Sequence, residues 1–327
     1  IEVYLSEVEL GIQKKYRLDF WIRNKKVANK YLLKQLKKHL NIIHPRIMLD
    51  FLYYLKKKKF NKLIIPYKHP SSYIEKEFER RNDGVWLYID GEPTYITGTH
   101  YFMLQWVKID GSFYGDYLAF QRKLFIHAEA CKVDPRCVGQ LFTKCRRSGY
   151  TNMAVATLLA EGTMVQDKVL GIMSKTGSDA RDNVFQKKVV SMYRHFPFFF
   201  KPIQDGSTNP RMELAFREPA KKITKNNKTA IVGEALNTII NWKNTVNNAY
   251  DGERLYYLFL DEAGKWEKPA DIREAWRINR TCLIVGRKIV GTALVGSTVN
   301  PMSKGGQQYK DLWNDSDPAE RNANGRT

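Results

Sequence analysis

The sequence predicts an α/β fold: a mostly parallel central sheet with helices on both faces, plus an N-terminal helical extension. Three observations predict it. From about Tyr117 onward, short continuous apolar runs alternate with helical segments, the pattern of parallel strands buried on both sides. Before that, residues 1–60 carry apolar side chains at near-helical spacing, as in Tyr31, Leu32, Leu33, Leu36 and Leu40, with Lys30, Lys34, Lys37 and Lys38 on the other faces. The 327 residues, of which 43% are apolar, supply a sizeable core, and at roughly 150 residues per domain the length suits one large or two ordinary domains.

Residues 1–84 form a basic helical region that ends near an alternating stretch, VWLYIDGEPTYIT, with Asp90-Gly91 as its hairpin turn. Residues 85–300 form the α/β domain. Within it, CVGQLFT (137–143) reads as a buried strand and TNMAVATLLAEG (151–162) as a helix ending at Gly162. VLGIMS (169–174) is a second strand, followed by a helix from Ser178 to His195 capped by Ser178 or Asp179. MELAFRE (212–218), TAIVGEAL (229–236), LYYLFLDEA (255–263) and RKIVGTALVGST (287–298) are further strands. Residues 301–327 read as a polar linker. Ile1 is no natural start, so residues are expected upstream.

Charge narrows the partner. The chain holds 54 Lys+Arg against 34 Asp+Glu, a net +20, and residues 1–80 supply 19 basic and 8 acidic side chains, or +11. Such a field favours a polyanion or an anionic surface. The longest uncharged apolar stretch, Ile289 to Val299, has 11 residues, short of the roughly 20 that span a bilayer. Nothing amphipathic and lipid-seeking accompanies the charge, which leaves nucleic acid as the expected partner. The four cysteines, at 131, 137, 145 and 282, match no zinc spacing and read as small buried hydrophobes.

The first strand runs into KCRRSGYT, Lys144 to Thr151, and directly into a helix. The standard phosphate loop is G-x-x-x-x-G-K-[ST] over the same eight positions. Here Lys144 replaces the first glycine, Gly149 keeps the second, Tyr150 replaces the lysine, and Thr151 keeps the Mg²⁺-binding hydroxyl. The helix N-terminus still favours an anion. Lys144, Arg146 and Arg147 are each candidates for the phosphate-contacting cation; Cys145 and Ser148 complete the loop. Tyr150 also reads as a packing residue.

LYYLFLDEA places Asp261 and Glu262 directly after six apolar or aromatic residues. Two acids leaving a buried strand are costly without compensation, and a Mg²⁺–nucleotide site compensates them: Asp261 on the metal, Glu262 on the attacking water. The next strand ends in Ser297, Thr298 and Asn300, polar groups suited to sensing the γ-phosphate and passing on its loss. Upstream, Gln121 in YLAFQRKLF offers an amide to an adenine edge.

Together, FQR at 120–122, KCRRSGYT, LFLDEA and GSTVN resemble the ATPase domain of the large terminase subunit of tailed bacteriophages. The resemblance spans roughly Tyr117 to Asn300 and is less specific before residue 85. It implies a P-loop NTPase of the glutamate-bearing, RecA-like type that uses ATP and Mg²⁺ to translocate double-stranded DNA into a procapsid. By the resemblance, Lys144 does the phosphate work at the loop's start, although other members use an arginine matching Arg146 or Arg147. Lys175 and Arg181, in MSKTGSDARDNVF, become candidate phosphate or DNA contacts. The resemblance further implies portal protein and small terminase subunit as partners, a pentameric ring on the portal, and the host cytoplasm as its place. An arginine reaching the γ-phosphate in cis or trans is expected from among Arg273, Arg277, Arg280 and Arg287. The family's C-terminal nuclease constellation is not visible in this sequence, so no DNA cleavage is expected of it. Two alternatives are a helicase-like remodeller and a DNA-binding assembly module with a degenerate loop.

Overall fold

The computed structural model describes residues 70–217 and 235–316. The expected helices of residues 1–60, the Lys56–Lys59 run and most of the expected strand 229–236 lie outside the described residues. The chain divides into two compact units. Of the described residues, the first takes in those up to Lys108 together with Ser112–Tyr117 and His195–Phe200, and the second holds the others.

In the first unit, α1 (Pro70–Asp83) leads into the hairpin β1 (Val85–Ile89) and β2 (Glu92–Ile96), then α2 (Gly98–Trp106). The hairpin turns where the sequence places it: Asp90 and Gly91 both take positive φ, 52° and 82°, as a two-residue turn matched to strand twist requires. The sequence puts the start of the α/β domain at residue 85, but the hairpin belongs with α1 in this first unit. Close approach explains part of this. A Cβ on Gly98 would stand 2.0 Å from the Arg81 carbonyl oxygen, so α2 begins hard against the end of α1. Thr97 caps α2 by accepting from the His100 N–H. Glu77 is fully buried, yet it accepts from Tyr101 Oη and Trp106 Nε1, both at 2.8 Å, and from Arg80 Nη1 at 2.7 Å. Burial pushes its carboxyl up and Arg80 opposes the shift. Arg81 lies 4.4 Å over the Phe102 ring and 4.7 Å over Phe200.

In the second unit, α3 (Ala119–Val133), β5 (Gly139–Lys144), α4 (Tyr150–Gly162) and β6 (Val169–Met173) come after the short strands β3 (Lys108–Ile109) and β4 (Phe113–Tyr114) in sequence. Next come a π-helix, Asp179–Val190, α5 (Ser191–Arg194), β7 (Glu213–Phe216), β8 (Thr238–Trp242) and β9 (Tyr257–Asp261). The unit closes with α6 (Ile272–Asn279), the pair β10 (Ile284–Val285) and β11 (Lys288–Ile289), β12 (Thr292–Thr298) and α7 (Gly306–Asn314). Six strands make the sheet in the order β5-β12-β9-β6-β8-β7. All neighbours are parallel except β7, which runs antiparallel to β8 at the edge. The mostly parallel α/β expectation therefore holds, with one antiparallel edge added.

Four local expectations change. The run 287–298 is not one strand: it breaks at Val290 and Gly291, whose N–H groups both donate to the Leu283 carbonyl, and a Cβ on Gly291 would meet the Leu255 oxygen at 2.2 Å. A strand the sequence does not announce, β8, pairs with β6 on the side away from β9. The helix after β6 is wound as a π-helix over Asp179–Val190, and its entry is capped by Thr176, which accepts from the Asp179 N–H at 3.1 Å, rather than by Ser178 or Asp179. Finally, Pro301–Ser316 is not a plain linker. Its helix α7 buries Tyr309 and Leu312 in the same core cluster as Leu258, Leu260 and Val295, and Tyr309 Oη donates to the Phe142 carbonyl at 2.9 Å.

Candidate functional site

Parallel strands end at one side of the sheet, and the residues at and beyond the ends of β5, β9 and β12 converge there. The register aligns Thr298 with Lys144 and Gly296 with Asp261. Lys144, the last residue of β5, thus ends level with β12, and Asp261 with the strand on its other side.

The loop after β5 turns directly into α4. Gly149 sits at φ 78° immediately before α4, and Arg147 also takes the left-handed region, φ 62°. Of the three candidate cations, only Lys144 turns toward the acids. Its side chain is 8% exposed, with Nζ 3.0 Å from Glu262 Oε1 and 3.7 Å from Asp261 Oδ1; it also donates to Thr151 Oγ1 at 3.2 Å. Arg146 and Arg147 are exposed, as is Cys145. Among the cysteines, Cys131 and Cys282 match the buried expectation, while Cys145 does not because it rides the loop. Ser148 Oγ is buried with no hydrogen-bond partner, an orphaned hydroxyl inside the loop.

Tyr150, in place of the usual lysine, points the other way. It is 3% exposed and stacks on Phe142 with ring centroids 5.1 Å apart. Its hydroxyl donates to the Val295 carbonyl at 3.4 Å. Burial pushes its phenol far above the ordinary range. The residue opposite must be glycine: a Cβ on Gly296 would stand 2.1 Å from the tyrosine ring.

Asp261 is 6% exposed and well partnered. It accepts from Thr151 Oγ1 at 3.0 Å, across 110 residues of sequence, and from Ser174 Oγ at 3.4 Å. Burial raises its carboxyl above the usual range, and Lys144 opposes that. Glu262 differs. Burial pushes it up, but the hydrogen bonds and charges of Lys265 and Lys144 outweigh this and hold it below the usual range. Lys265 Nζ lies 2.6 Å from Glu262 Oε2. Glu262 also takes a left-handed backbone, φ 50° and ψ 38°, uncommon for a side chain of that size and concentrated at functional sites.

Thr298 Oγ1 donates to Glu262 Oε2 at 3.2 Å. Ser297 Oγ accepts from the Gly264 N–H at 2.9 Å and donates to the Thr298 carbonyl at 2.8 Å. Asn300 is not part of this set, since its amide donates to the Lys304 carbonyl. Gln121 is buried, and its amide donates to the Ser148 carbonyl at 3.2 Å, bracing the loop from α3. Lys175 pairs with Asp179 at 3.7 Å, and Arg181 pairs with Asp182 at 2.8 Å. Two residues that no sequence motif singled out join the site, Ser174 and Lys265. Ser174 carried a signal, being the first polar residue after the apolar run VLGIM.

Three of the four candidate arginines lie elsewhere. Arg273, Arg277 and Arg280 line a cleft of about 1260 Å³ between β5, α6 and α7. Arg273 is held by Asp315 at 2.6 Å and Arg277 by Glu274 at 2.6 Å. The cleft contains none of Lys144, Thr151, Asp261 or Glu262. A lysine, two acids and three hydroxyls, those of Thr151, Ser174 and Thr298, converge instead at and just beyond the strand ends.

No protein-family model matches the chain, and no curated protein matches it. Among solved structures, the chain is similar to the crystal structure of the HK97 bacteriophage large terminase, with a TM-score of 0.43 and 15% sequence identity. The alignment covers 60% of this chain and 36% of that one, so the chain spans about a third of that terminase's length.

Proposed function

We propose that this chain is an ATP-hydrolysing motor domain that couples hydrolysis to translocation of double-stranded DNA, as in phage DNA packaging. The observation that carries the reading is Lys144 Nζ at 3.0 Å from Glu262 Oε1, with Thr151 tied to Asp261 at 3.0 Å. A loop-start lysine, a helix-start hydroxyl and an adjacent acid pair meet as nucleotide hydrolysis requires. The unpartnered Ser148 hydroxyl and the left-handed Gly149 fit a loop that closes on phosphate oxygens.

Thr151 and Asp261 would hold Mg²⁺, and one carboxylate with one hydroxyl suits an ion that keeps most of its water. Bound there, the ion would neutralise charge on the β- and γ-phosphates. Lys144 carries its charge to the phosphates, leaving the acids as it does so. Glu262 then orients and deprotonates the attacking water, with Thr298 and Lys265 fixing its carboxylate. Ser297 and Thr298 link the end of β12 to the turn after β9, a route by which loss of the γ-phosphate reaches the rest of the molecule. Gln121 holds the loop and offers its amide to adenine. Duplex DNA meets the +20 charge, with Lys175 and Arg181 as candidate contacts. Portal, small subunit and ring assembly belong to the same reading.

The test is ATP hydrolysis by the purified chain with and without duplex DNA. DNA-stimulated release of phosphate supports the motor; no hydrolysis in either condition sinks it. A second expectation concerns pH. Lys265 helps hold Glu262 below the usual carboxylate range, so Lys265→Met raises the acid's pKa. The carboxylate is then lost at a higher pH, and the acidic limb of the rate profile moves to higher pH. A limb that stays in place or moves down refutes Glu262 as the titrating base.

A further inference from the structure

Lys188 sits on the π-helix after β6, outside every motif that marks the site. Its side chain is 22% exposed, and its Nζ donates to Asn152 Oδ1 at 2.7 Å. Asn152 is the residue after Thr151, in the first turn of α4. The nearest acid oxygen, on Asp110, is 3.9 Å away, and the Asp110 side chain is 63% exposed. The neighbouring Lys187 instead donates to Asn183 on the exposed face of the same helix. A half-buried ammonium whose one close partner is a neutral amide keeps most of its charge available, which is an expensive arrangement unless an anion arrives. The segment between β6 and this helix already borders the acids, through Ser174 on Asp261. The helix itself has the wider π winding over Asp179–Val190, rare in proteins and frequent at functional sites.

We infer that Lys188 is a second phosphate-binding cation of this site, reaching the nucleotide's phosphates from the π-helix while Lys144 reaches them from the end of β5. This rests on the ATP-binding reading above and extends it. Asn152 is then a parking place: Lys188 exchanges the amide for a phosphate oxygen when the anion enters. The electrostatics agree with that placement. Burial lowers the Lys188 pKa, and among the charges acting on it are Asp261, which opposes the shift, and Lys144, which adds to it, so all three share one field. Its partners and neighbouring charges are Asn152 from α4 and Asp110, at 2.7 and 3.9 Å, with Asp261 and Lys144 from the strand ends and Lys187 from its own helix acting through charge.

The experiment measures binding of Mg²⁺–ATP to the full chain by titration calorimetry, and phosphate release in parallel, for the wild type, Lys188→Ala, Lys188→Arg, Asn152→Ala and Lys144→Ala, with thermal unfolding of each. Lys188→Ala is expected to weaken ATP binding about tenfold, the size of one lost charged contact. Lys188→Arg should bind within about threefold of the wild type, because charge is retained. Asn152→Ala should bind as well as the wild type or better, since it frees the lysine. Wild-type affinity in Lys188→Ala overturns the inference. So does equal weakening in Asn152→Ala and Lys188→Ala, which would make the pair a brace for α4. If Lys144→Ala hydrolyses ATP normally while Lys188→Ala has lost binding, the assigned catalytic mechanism fails and the Lys188 site stands. If Lys144→Ala loses hydrolysis and Lys188→Ala binds normally, only the role given to Lys188 fails.

Discussion

Lys144→Ala and Glu262→Gln are each expected to lower ATP hydrolysis by at least about a hundredfold, but by different routes. A positioned general base contributes roughly 10²–10⁴ in rate, and Glu262→Gln removes the base while keeping the shape that Thr298 holds at 3.2 Å. ATP binding should therefore survive in that variant. Lys144→Ala removes the cation itself, and losing one preorganised donor to developing charge costs about 10²–10³. It should also weaken ATP binding. Removing this lysine leaves Asp261, 6% exposed, without its opposing charge, so some loss of thermal stability is expected with it. Arg146→Ala and Arg147→Ala serve as the contrast: both side chains are exposed, and neither change should lower the rate more than a few-fold. Steady-state phosphate release, read beside ATP titration, separates these outcomes. Equal rates in the wild type, Lys144→Ala and Glu262→Gln would refute the mechanism, and a hundredfold loss in Arg146→Ala would move the phosphate-contacting role to that residue.

Tyr150→Lys rewrites the loop toward the standard motif and is expected to destabilise the protein without raising activity. Tyr150 is buried against Phe142 and fills the space that Gly296 leaves open. Replacing it forfeits a buried aromatic, worth about 3–5 kcal/mol in large-to-small exchanges, and sets an ammonium among apolar neighbours. At about 2–4 °C per kcal/mol for a domain of this size, the melting temperature should fall by roughly 10 °C. Lys144 already occupies the acid side of the loop, so a second lysine finds no vacant role. A melting temperature within a degree or two of wild type, or faster hydrolysis, would mean that position 150 faces the phosphates after all.

The sequence is legible where the chemistry is local. A glycine before a helix and an acid pair after six apolar residues are signals carried by consecutive residues, and they led to the loop and the acids. The choice among Lys144, Arg146 and Arg147 was not legible, because it depends on which side chain the curl of the loop turns inward. The sequence offers Gln121 to an adenine edge, whereas its bond to the Ser148 carbonyl is a tertiary fact that no local signal carries. Nothing local in the sequence singles out Lys188 or Lys265, since a lysine that faces a carboxylate has the same neighbours in sequence as one that faces solvent. The split of 287–298 turned on one carbonyl, that of Leu283, taking two N–H groups. The π winding has no signature in apolar spacing, and β8 lies close beyond the expected strand 229–236.

Strand β12 is buried along its whole length, Thr292 to Thr298, with β5 on one side and β9 on the other. Its amides are bonded into the middle of the sheet and belong among those that exchange with solvent only when the whole unit opens. The ends of β9 and β12, which carry Asp261 and Thr298, therefore have no local melting route of their own, whereas Lys144 stands on β5, an outer strand of the sheet. In denaturant, the pairing of Asp261 and Thr298 with the sheet is expected to persist until the unit that built it unfolds.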